Sequence, residues 1–123
     1  AASDVYKRQA LTRAFAYVEA GADGIMIHSR KKTADEIIEF CDKFRAKYSD
    51  IPIVVVPTSY NYITEAELAA HGVNIVIYAN QLTRSAFPAM ENTAKEILKN
   101  HRALEVDSKL MPFKDIITLI DEL

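Results

Sequence analysis

Short, mainly apolar runs alternate along this chain with stretches in which apolar residues recur every three or four positions. The short runs are rich in Ile and Val and too brief for helices, so they predict buried β-strands, over 24–28, 52–57 and 73–79. The longer stretches predict helices with one apolar face, over 11–20, 33–48, 64–71, 82–99 and 113–123. The alternation predicts an α/β fold.

Local signals support these boundaries and favour a parallel sheet. Thr33 with Glu36, and Thr64 with Glu67, match the capping box that opens a helix. The second predicted strand has no polar residue from Ile53 to Val56, which is typical of parallel sheets covered on both faces. The strands begin roughly 20 to 30 residues apart, the length of one βα unit. Three such units fit a small doubly wound sheet or part of a (β/α)8 barrel, which needs eight strands and about 250 residues.

The last two predicted helices each carry an apolar stripe. We expect one stripe to face inward; it consists of Leu82, Ala86, Met90, Ile97 and Leu98. The final helix follows a polar connector over 100–109, and its own stripe consists of Phe113, Ile116, Ile117 and Ile120. In a monomer the second stripe would form an exposed apolar patch that favours a partner. The alternative is that the final helix folds back onto its own sheet.

Composition and charge exclude several classes of function. Half of the 123 residues are apolar, and 15 basic and 17 acidic side chains leave a net charge of -2. Nucleic-acid binding would require a basic face, and no apolar run approaches the ~20 residues of a membrane span. The single cysteine, Cys41, lies on the apolar stripe of a predicted helix and is expected in the core. A chain without disulfides fits the reducing cytoplasm, so we expect a cytoplasmic protein.

The first predicted strand ends in the strongest candidate for chemistry. In parallel α/β folds, functional groups gather at the carboxyl ends of the strands. The imidazole of His28 could donate to an anionic oxygen, and Ser29 adds a hydroxyl. Arg30, Lys31 and Lys32 add positive charge that favours a phosphate or carboxylate. The alternative is that His28 packs under a loop and the cations form a solvated helix start.

The other two strand ends also carry polar residues. Thr58 and Ser59 could bind a substrate carboxylate or could satisfy backbone groups in a turn. Asn80 could orient a ligand or cap the next helix. His71 and His101 lie at predicted helix C-termini without a partner at metal-ligand spacing. The sequence contains no Gly-rich phosphate loop, no nucleophile elbow and no paired-Cys zinc motif.

Four segments resemble one known family, in collinear order from about residue 10 to residue 123. AGADGIMIHS (20–29) resembles the sixth-strand segment of phosphoenolpyruvate mutases, PIVVVPTSY (52–60) the seventh strand and its loop, and GVNIVIYAN (72–80) the eighth. MPFKDI (111–116) resembles the closing helix of that family. The chain is thereby identified as a C-terminal fragment of a member of the isocitrate lyase and phosphoenolpyruvate mutase superfamily. The fold implied is a partial (β/α)8 TIM-type barrel.

The resemblance implies an activity, a cofactor and a domain organisation. Such enzymes are isomerases that interconvert phosphoenolpyruvate and phosphonopyruvate in phosphonate biosynthesis, with Mg²⁺ holding the pyruvyl group. Residues 10–110 would be the C-terminal part of the barrel, and residues 111–123 a helix swapped onto a partner subunit of a homo-oligomer. Residues 1–9 resemble translated adaptor sequence and are expected to be a non-native lead-in; the alternative is a natural polar lead-in to the first helix.

By the same resemblance, His28 falls on the phosphoryl-binding histidine of the family, and Ser29 and Arg30 border the match. Thr58 and Asn80 are added as candidate substrate contacts from their positions at strand ends. The metal-binding acidic cluster, a phosphate-binding arginine and the catalytic lid of the family all precede residue 10. We therefore expect neither catalytic residues nor metal ligands in this chain, and no activity from it alone.

Three functions remain open on the sequence. The first is phosphoenolpyruvate mutase. The second is a sister activity on the same scaffold, which could be phosphonopyruvate hydrolase or a lyase or decarboxylase acting on a 2-oxo acid. The lid would discriminate these activities. The third is a non-catalytic α/β module that binds an anion or a protein, which a native start near residue 10 would favour.

Overall fold

The computed structural model describes residues 2–119. In chain order, its elements are α1 Ala2–Glu19, β1 Ile25–Ile27, α2 Asp35–Arg45, β2 Ile53–Val55, α3 Glu65–Ala70, β3 Ile75–Val76, α4 Gln81–Asn100, a 3-10 turn Asp107–Lys109 and α5 Phe113–Ile116. The chain divides into two compact units, Ala1–Ala79 and Asn80–Leu123. The predicted alternation of helices and strands is confirmed.

The three strands form one parallel sheet in the order β1-β2-β3. Ile25 pairs with Ile53 and Met26 with Val54, and Val54 in turn pairs with Ile75. Parallel neighbours in sequence order require each helix to cross from one end of the sheet back to the other. The carboxyl ends of all three strands therefore lie at one edge, as the sequence predicts.

One face of the sheet packs against helices. Ile25, Ile53 and Val55 are buried on this face together with the apolar stripe of α2. Around Phe44, aromatic rings lie with centroids 5.9 Å away at Phe15 and 5.8 Å away at Phe40, within the range of favourable ring pairs. Cys41 is fully buried here, as predicted. This packing fixes the direction of α1 and α2 relative to β1.

The opposite face of the sheet is open. Met26 and Ile75 are 60% and 48% exposed, and Val54 between them in the same register is half-buried. The sequence predicts strands covered on both faces, and within residues 2–119 that prediction is wrong for this row. The strands are apolar on both faces, but the described residues cover only one face of the sheet.

The two predicted capping boxes have different outcomes. Thr64 caps α3 as expected, because its hydroxyl accepts from the Glu67 amide while the Glu67 carboxylate accepts from the Thr64 amide. The box predicted for Thr33 and Glu36 is wrong. Helix α2 begins at Asp35 after Ala34, without a side-chain cap. The Glu36 carboxylate is already bound by residues of the preceding loop, so it does not reach back to a cap.

The junction between α3 and β3 is held by side chains. Gly72 has φ +84°, the left-handed conformation in which glycine commonly ends a helix. Asn74 then pairs with Ile53 twice: its amide donates to the Ile53 carbonyl oxygen at 3.0 Å, and its Oδ1 accepts from the Ile53 amide at 2.9 Å. The Arg45 guanidinium donates to the same Oδ1 at 2.6 Å. Strand β3 is thus aligned with β2 before its first residue.

Helix α1 is longer than predicted, and the strands are shorter. The sequence predicts a helix over 11–20, whereas α1 begins at Ala2, so residues 2–9 continue the same helix. Strand β3 covers two residues of the seven predicted, because Val73 and Asn74 serve in the junction and residues 77–79 leave the regular ladder. The origin of residues 1–9 stays a prediction.

In the second unit, α4 departs from its predicted packing. The stripe expected to face inward is exposed instead: Leu82 is 84% exposed, Met90 64% and Leu98 74%. The final helix is short, since α5 ends at Ile116. Of its predicted apolar stripe, Phe113, Ile116 and Ile117 are exposed. Ile120, with the rest of 120–123, lies outside the described residues.

Candidate functional site

The predicted site residues divide between the two units. His28, Ser29 and Arg30 follow β1 directly, and Thr58 lies three residues after β2, so these four belong to neighbouring strand ends in the first unit. Asn80 is the N-cap residue of α4 and begins the second unit. Its side chain makes no capping hydrogen bond, so the capping alternative for Asn80 is wrong.

Three of these side chains are available to a ligand. His28 and Arg30 are exposed and Thr58 is half-buried. Within residues 2–119, none of the three makes a side-chain hydrogen bond or ion pair. The backbone amide of Thr58 donates to the Val56 carbonyl oxygen at 2.8 Å, which closes a tight turn directly after β2. An imidazole, a guanidinium and a hydroxyl therefore stand at adjacent strand ends with their hydrogen-bonding groups open.

Ser29 is different, because it is buried and its hydroxyl is engaged inside the protein. The Ser29 Oγ donates to Glu36 Oε2 at 3.0 Å and accepts from the Lys31 amide at 3.1 Å. Lys31 Nζ also pairs with Glu36 Oε1 at 2.6 Å. The hydrogen bond from Lys31 lowers the pKa of the Glu36 carboxyl, with smaller help from Ser29 and against the opposing effect of burial. Glu36 is therefore ionised where it holds this loop.

Glu36 is a residue whose role sequence reasoning missed. Its spacing from Thr33 matches a capping box, so the sequence predicts a contact with Thr33. The contacts that Glu36 makes with Ser29 and Lys31 were therefore not predicted. The sequence did contain a signal for this contact. Glu36, in the first turn of α2, closely follows three cations, Arg30, Lys31 and Lys32, any of which could pair with its carboxylate.

A cleft of about 140 Å³ opens beside the loop that follows β1. His28, Ser29 and Glu36 border it, and the remaining walls come mainly from α1 and α2. Glu39 in this wall accepts hydrogen bonds from Lys43 and Lys7, which lower the pKa of its carboxyl to about 2. Arg30 and Thr58 do not line the cleft. The cleft thus lies mainly between α1 and α2, and of the three available side chains only His28 borders it.

The loop after β2 reaches across to the helix that follows β1. The Tyr62 hydroxyl accepts a hydrogen bond from the Ala34 amide at 3.0 Å. Nearby, Tyr60 is fully buried, and burial raises the pKa of its hydroxyl to about 12, with a further contribution from Cys41. The Tyr60 hydroxyl lies near the backbone of Val56, which slightly opposes this shift, but it forms no hydrogen bond of standard geometry within the described residues. The loops after β1 and β2 are therefore joined.

The remaining histidines lie away from the strand ends. His71 ends α3, where its Nδ1 lies 2.8 Å from Asp42 Oδ1, and His101 ends α4. Across residues 2–119, no group of three or more His, Cys, Asp or Glu side chains is arranged to hold a metal ion. In the same part of the chain, every helix is too short or too polar to cross a bilayer.

Comparison with known proteins connects this geometry to a family. The family model described as phosphoenolpyruvate phosphomutase matches residues 3–98. The chain belongs to the phosphoenolpyruvate phosphomutase family. One relative is a phosphonopyruvate hydrolase of Variovorax sp. (strain Pal2), 44% identical over 114 residues. That alignment covers 92% of this chain and 38% of the relative, so the chain spans little more than a third of the length of that enzyme.

Solved structures of this family share the fold. The crystal structure of phosphoenolpyruvate phosphomutase from Streptomyces platensis subsp. rosaceus aligns with a TM-score of 0.83 at 33% identity, over 90% of this chain and 38% of the other. A phosphonopyruvate hydrolase in complex with oxalate and Mg²⁺ aligns with a TM-score of 0.79 at 44% identity, again over 90% and 38%. The three βα units are therefore part of a TIM-type barrel, and the doubly wound alternative is wrong.

Proposed function

We propose that this chain is part of a phosphoenolpyruvate mutase, an isomerase that interconverts phosphoenolpyruvate and phosphonopyruvate in phosphonate biosynthesis. The observation that carries the proposal is the position of His28 in a member of this family. His28 follows β1 at the carboxyl edge of the sheet, is exposed, and has no internal partner within the described residues. Such a group can donate a hydrogen bond to an anionic oxygen without first breaking a contact of its own.

The strand geometry supports this role for His28. Barrel enzymes hold their substrates at the carboxyl face, which is built from the loops that follow the strands. His28 is the first residue of such a loop, directly after β1. A transferring phosphoryl group carries spread negative charge, and its reaction is catalysed mainly by positioning and electrostatic stabilisation. A donor fixed at a strand end suits both tasks.

Arg30, Thr58 and Asn80 are supported as substrate contacts by different observations. Arg30 is exposed and without an ion-pair partner in residues 2–119, so its charge is free to attract the phosphoryl or carboxylate group. The Thr58 hydroxyl is likewise open at the neighbouring strand end. The Asn80 side chain makes no cap, and its buried Oδ1 has no hydrogen-bond partner within residues 2–119. We propose Arg30 and Thr58 as substrate contacts beside His28 and keep Asn80, in the second unit, as a separate candidate contact; we assign Ser29 a different role below.

Magnesium is proposed for the whole enzyme. A structure of a related phosphonopyruvate hydrolase contains oxalate and Mg²⁺. Mg²⁺ prefers oxygen ligands, usually one or two carboxylates together with substrate oxygens. The described residues offer no such cluster at the strand ends. We therefore propose that the metal ligands belong to parts of the enzyme outside this chain, and that this segment supplies binding groups for the anionic substrate.

The experiment that tests the proposal compares the chain with the complete enzyme. With Mg²⁺ present, we expect the 123-residue chain to be inactive. We expect the protein encoded by the complete reading frame to convert phosphonopyruvate to phosphoenolpyruvate, followed by ³¹P NMR. In that protein His28→Ala should reduce kcat about 100- to 1000-fold. His71→Ala is the matched control, because His71 ends α3 at the opposite edge of the sheet. Turnover by the chain alone, or full activity of His28→Ala, would contradict the proposal.

Phosphonopyruvate hydrolase is the second candidate, favoured by the 44% identity to the Variovorax enzyme. The same ³¹P experiment separates the candidates. A mutase gives the phosphate ester of enolpyruvate, whereas a hydrolase consumes water and gives inorganic phosphate and pyruvate. A decarboxylase that accepts phosphonopyruvate would release CO₂ and give phosphonoacetaldehyde with the C–P bond intact, whereas a lyase of another 2-oxo acid would leave phosphonopyruvate unchanged. A reading frame that begins near residue 10 and binds phosphate without turnover would favour a non-catalytic binding module.

We further propose that residues 111–123, the segment that contains α5, pack on a partner subunit of a homo-oligomer, while residues 10–110 form the C-terminal part of a cytoplasmic barrel enzyme. Phe113, Ile116 and Ile117 are exposed and together make an apolar patch. Light scattering of the complete enzyme should show an oligomer that Phe113→Ser with Ile117→Ser converts to monomers. Leu104→Ser, at another exposed apolar residue, is the control. A monomeric wild-type protein would contradict the helix exchange.

A further inference from the structure

We propose that Glu36 is a positioning residue, which acts through Ser29 and Lys31 to fix the place of His28 at the end of β1. Ser29, Lys31 and Glu36 are called here the Ser29 brace. The inference rests on the proposed function of His28, and it adds a residue that does not itself contact the substrate. It also gives the Ser29 hydroxyl an internal role in place of the substrate contact that the sequence suggests.

The brace connects the first turn of α2 to the residue that follows His28. Ser29 Oγ donates to Glu36 Oε2 at 3.0 Å, across seven positions of sequence. The same oxygen accepts from the Lys31 amide at 3.1 Å, which bends the chain directly after Arg30. Lys31 Nζ closes the set at 2.6 Å from Glu36 Oε1. Both carboxylate oxygens of Glu36 are therefore used, and each holds a different part of the loop.

The loop that carries His28 has no regular secondary structure, so side-chain contacts must hold it in place. Residues 28–34 lie between β1 and α2 and belong to neither element. Among the described residues, the side-chain hydrogen bonds that hold this loop are those of the brace and the bond from the Ala34 amide to Tyr62. The Tyr62 bond fixes the far end of the loop. The brace is the set that fixes the end next to His28.

Burial adds to the rigidity of the brace. Ser29 is 7% exposed. The Glu36 side chain in the ion pair is 24% exposed and Lys31 is 53% exposed. A buried hydroxyl that loses its acceptor is left unsatisfied at a cost in free energy, and movement of the loop toward water would relieve that cost. Removal of the Glu36 carboxylate should therefore displace the peptide between His28 and Ser29.

The same helix provides a matched control. Glu39 lies one turn beyond Glu36 and pairs with Lys43 at 2.6 Å and with Lys7 at 2.6 Å. It has the same side chain and comparable ion pairs, but it makes no contact with Ser29 or Lys31. A variant at Glu39 removes a carboxylate from α2 without removing the brace.

The first readout is the imidazole signal of His28 in the complete enzyme without substrate. The ¹H–¹³C signal of the ring is assigned by its loss in His28→Gln. Glu36→Ala and Ser29→Ala should each shift this signal or split it into two. Glu39→Ala should leave it in place. An unchanged His28 signal in Glu36→Ala would overturn the brace, and this result does not depend on any turnover.

The second readout separates positioning from folding. Because misplacement of a catalytic group by about 1 Å costs on the order of 100-fold in rate, we expect Glu36→Ala to lower kcat at least tenfold with a smaller change in KM. Glu36→Gln keeps an oxygen that accepts from Ser29, so it should restore part of kcat. Equal kcat in Glu36→Ala and wild type would overturn the proposal. If wild type itself lacks turnover, the proposed function fails, while the shift of the His28 signal still decides the brace.

Discussion

The guanidinium of Arg45 binds the carbonyl oxygen of Gly72 with two donors, Nε at 3.0 Å and Nη2 at 2.6 Å. Its Nη1 donates to the Ile51 carbonyl oxygen at 2.7 Å. Arg45 is the last residue of α2, and Gly72 directly follows the C-cap of α3. One side chain therefore joins the ends of two helices and the segment that leads into β2.

We predict that Arg45→Ala destabilises the fold by about 2 to 4 kcal/mol, because several carbonyl oxygens lose charged hydrogen bonds at once. Arg45→Lys should recover little of this loss, since an ammonium group cannot reproduce the planar fork. Urea denaturation gives the free energy of unfolding for each variant. Arg102→Ala is the control: Arg102 pairs with Glu105 on the exposed surface, so its loss should change stability by less than about 0.5 kcal/mol. Similar costs at Arg45 and Arg102 would contradict this account.

Two glycines with similar backbone conformations should tolerate alanine differently. Gly21 and Gly72 have φ +97° and +84°, so both substitutions should cost about 1 kcal/mol for the left-handed conformation. A Cβ at Gly21 would meet nothing within 4 Å, whereas one at Gly72 would lie 2.5 Å from Arg45 Nε. Gly72→Ala should therefore cost at least about 1 kcal/mol more, measured by urea denaturation. In an Arg45→Ala background this difference should shrink, because the clashing side chain is gone.

Cys41 should make stability depend on alkaline pH. Burial raises the pKa of its thiol from 9.0 to about 11, with Asp42 adding to the shift. As pH rises from 9 to 11, the unfolded chain loses a proton that the folded chain retains. The free energy of unfolding should thus fall by up to about 3 kcal/mol over this range. Urea midpoints recorded against pH should show the slope in wild type and lose that part in Cys41→Ala. A further decline from pH 10 to 12, from Tyr60, should remain in both proteins and be smaller in Cys41→Ala, because burial is the larger cause of the raised Tyr60 pKa and Cys41 the next.

The bond between Tyr62 and Ala34 should be visible in hydrogen exchange. The Ala34 amide donates to the Tyr62 hydroxyl, which is its acceptor within the described residues. Tyr62→Phe removes that acceptor and leaves the ring, so the Ala34 amide should exchange at least tenfold faster, a change worth about 1.4 kcal/mol in local stability. Tyr17→Phe, on the exposed side of α1, should leave the exchange of Ala34 unchanged. Undiminished protection in Tyr62→Phe would show that this bond does not hold the loop.

The comparison of the two capping boxes shows how far local patterns predict structure. Thr64 with Glu67 forms the predicted box, because α3 follows a loop that offers Glu67 no other partner among the described residues. Thr33 with Glu36 has the same spacing, yet Glu36 binds Ser29 and Lys31 instead. The spacing of two residues shows only which contacts they can make. Lys31, which binds Glu36 instead, is close to it in sequence, but the sequence pattern does not indicate that Glu36 would bind Lys31 rather than cap the helix.

The candidate site was predictable in position and only partly in detail. Apolar runs that end in His28 and precede Thr58 identify the carboxyl edge of a parallel sheet, and the structure places both there. Burial of Ser29 depends on how α2 packs against the loop, which periodicity does not describe. The exposed stripe of α4, with Leu82 and Leu98, shows the same limit. An apolar helix face predicts that its residues are buried in the complete protein. It does not predict which part of the protein buries them.

The hydrogen bonds of Asn74, directly before β3, also determine how the residues at the carboxyl end of β3 are placed. With its amide and its side chain both bonded to Ile53, a slip of β3 by one residue would break two hydrogen bonds and also the contact with Arg45. Such a slip would move the strand by about 3.3 Å and turn every side chain to the other face. Tyr78, Ala79 and Asn80 follow directly along the same backbone. The positions of Tyr78 and Ala79 beyond the carboxyl end of β3 are therefore set at the opposite end of the strand, by the backbone amide and the side chain of Asn74.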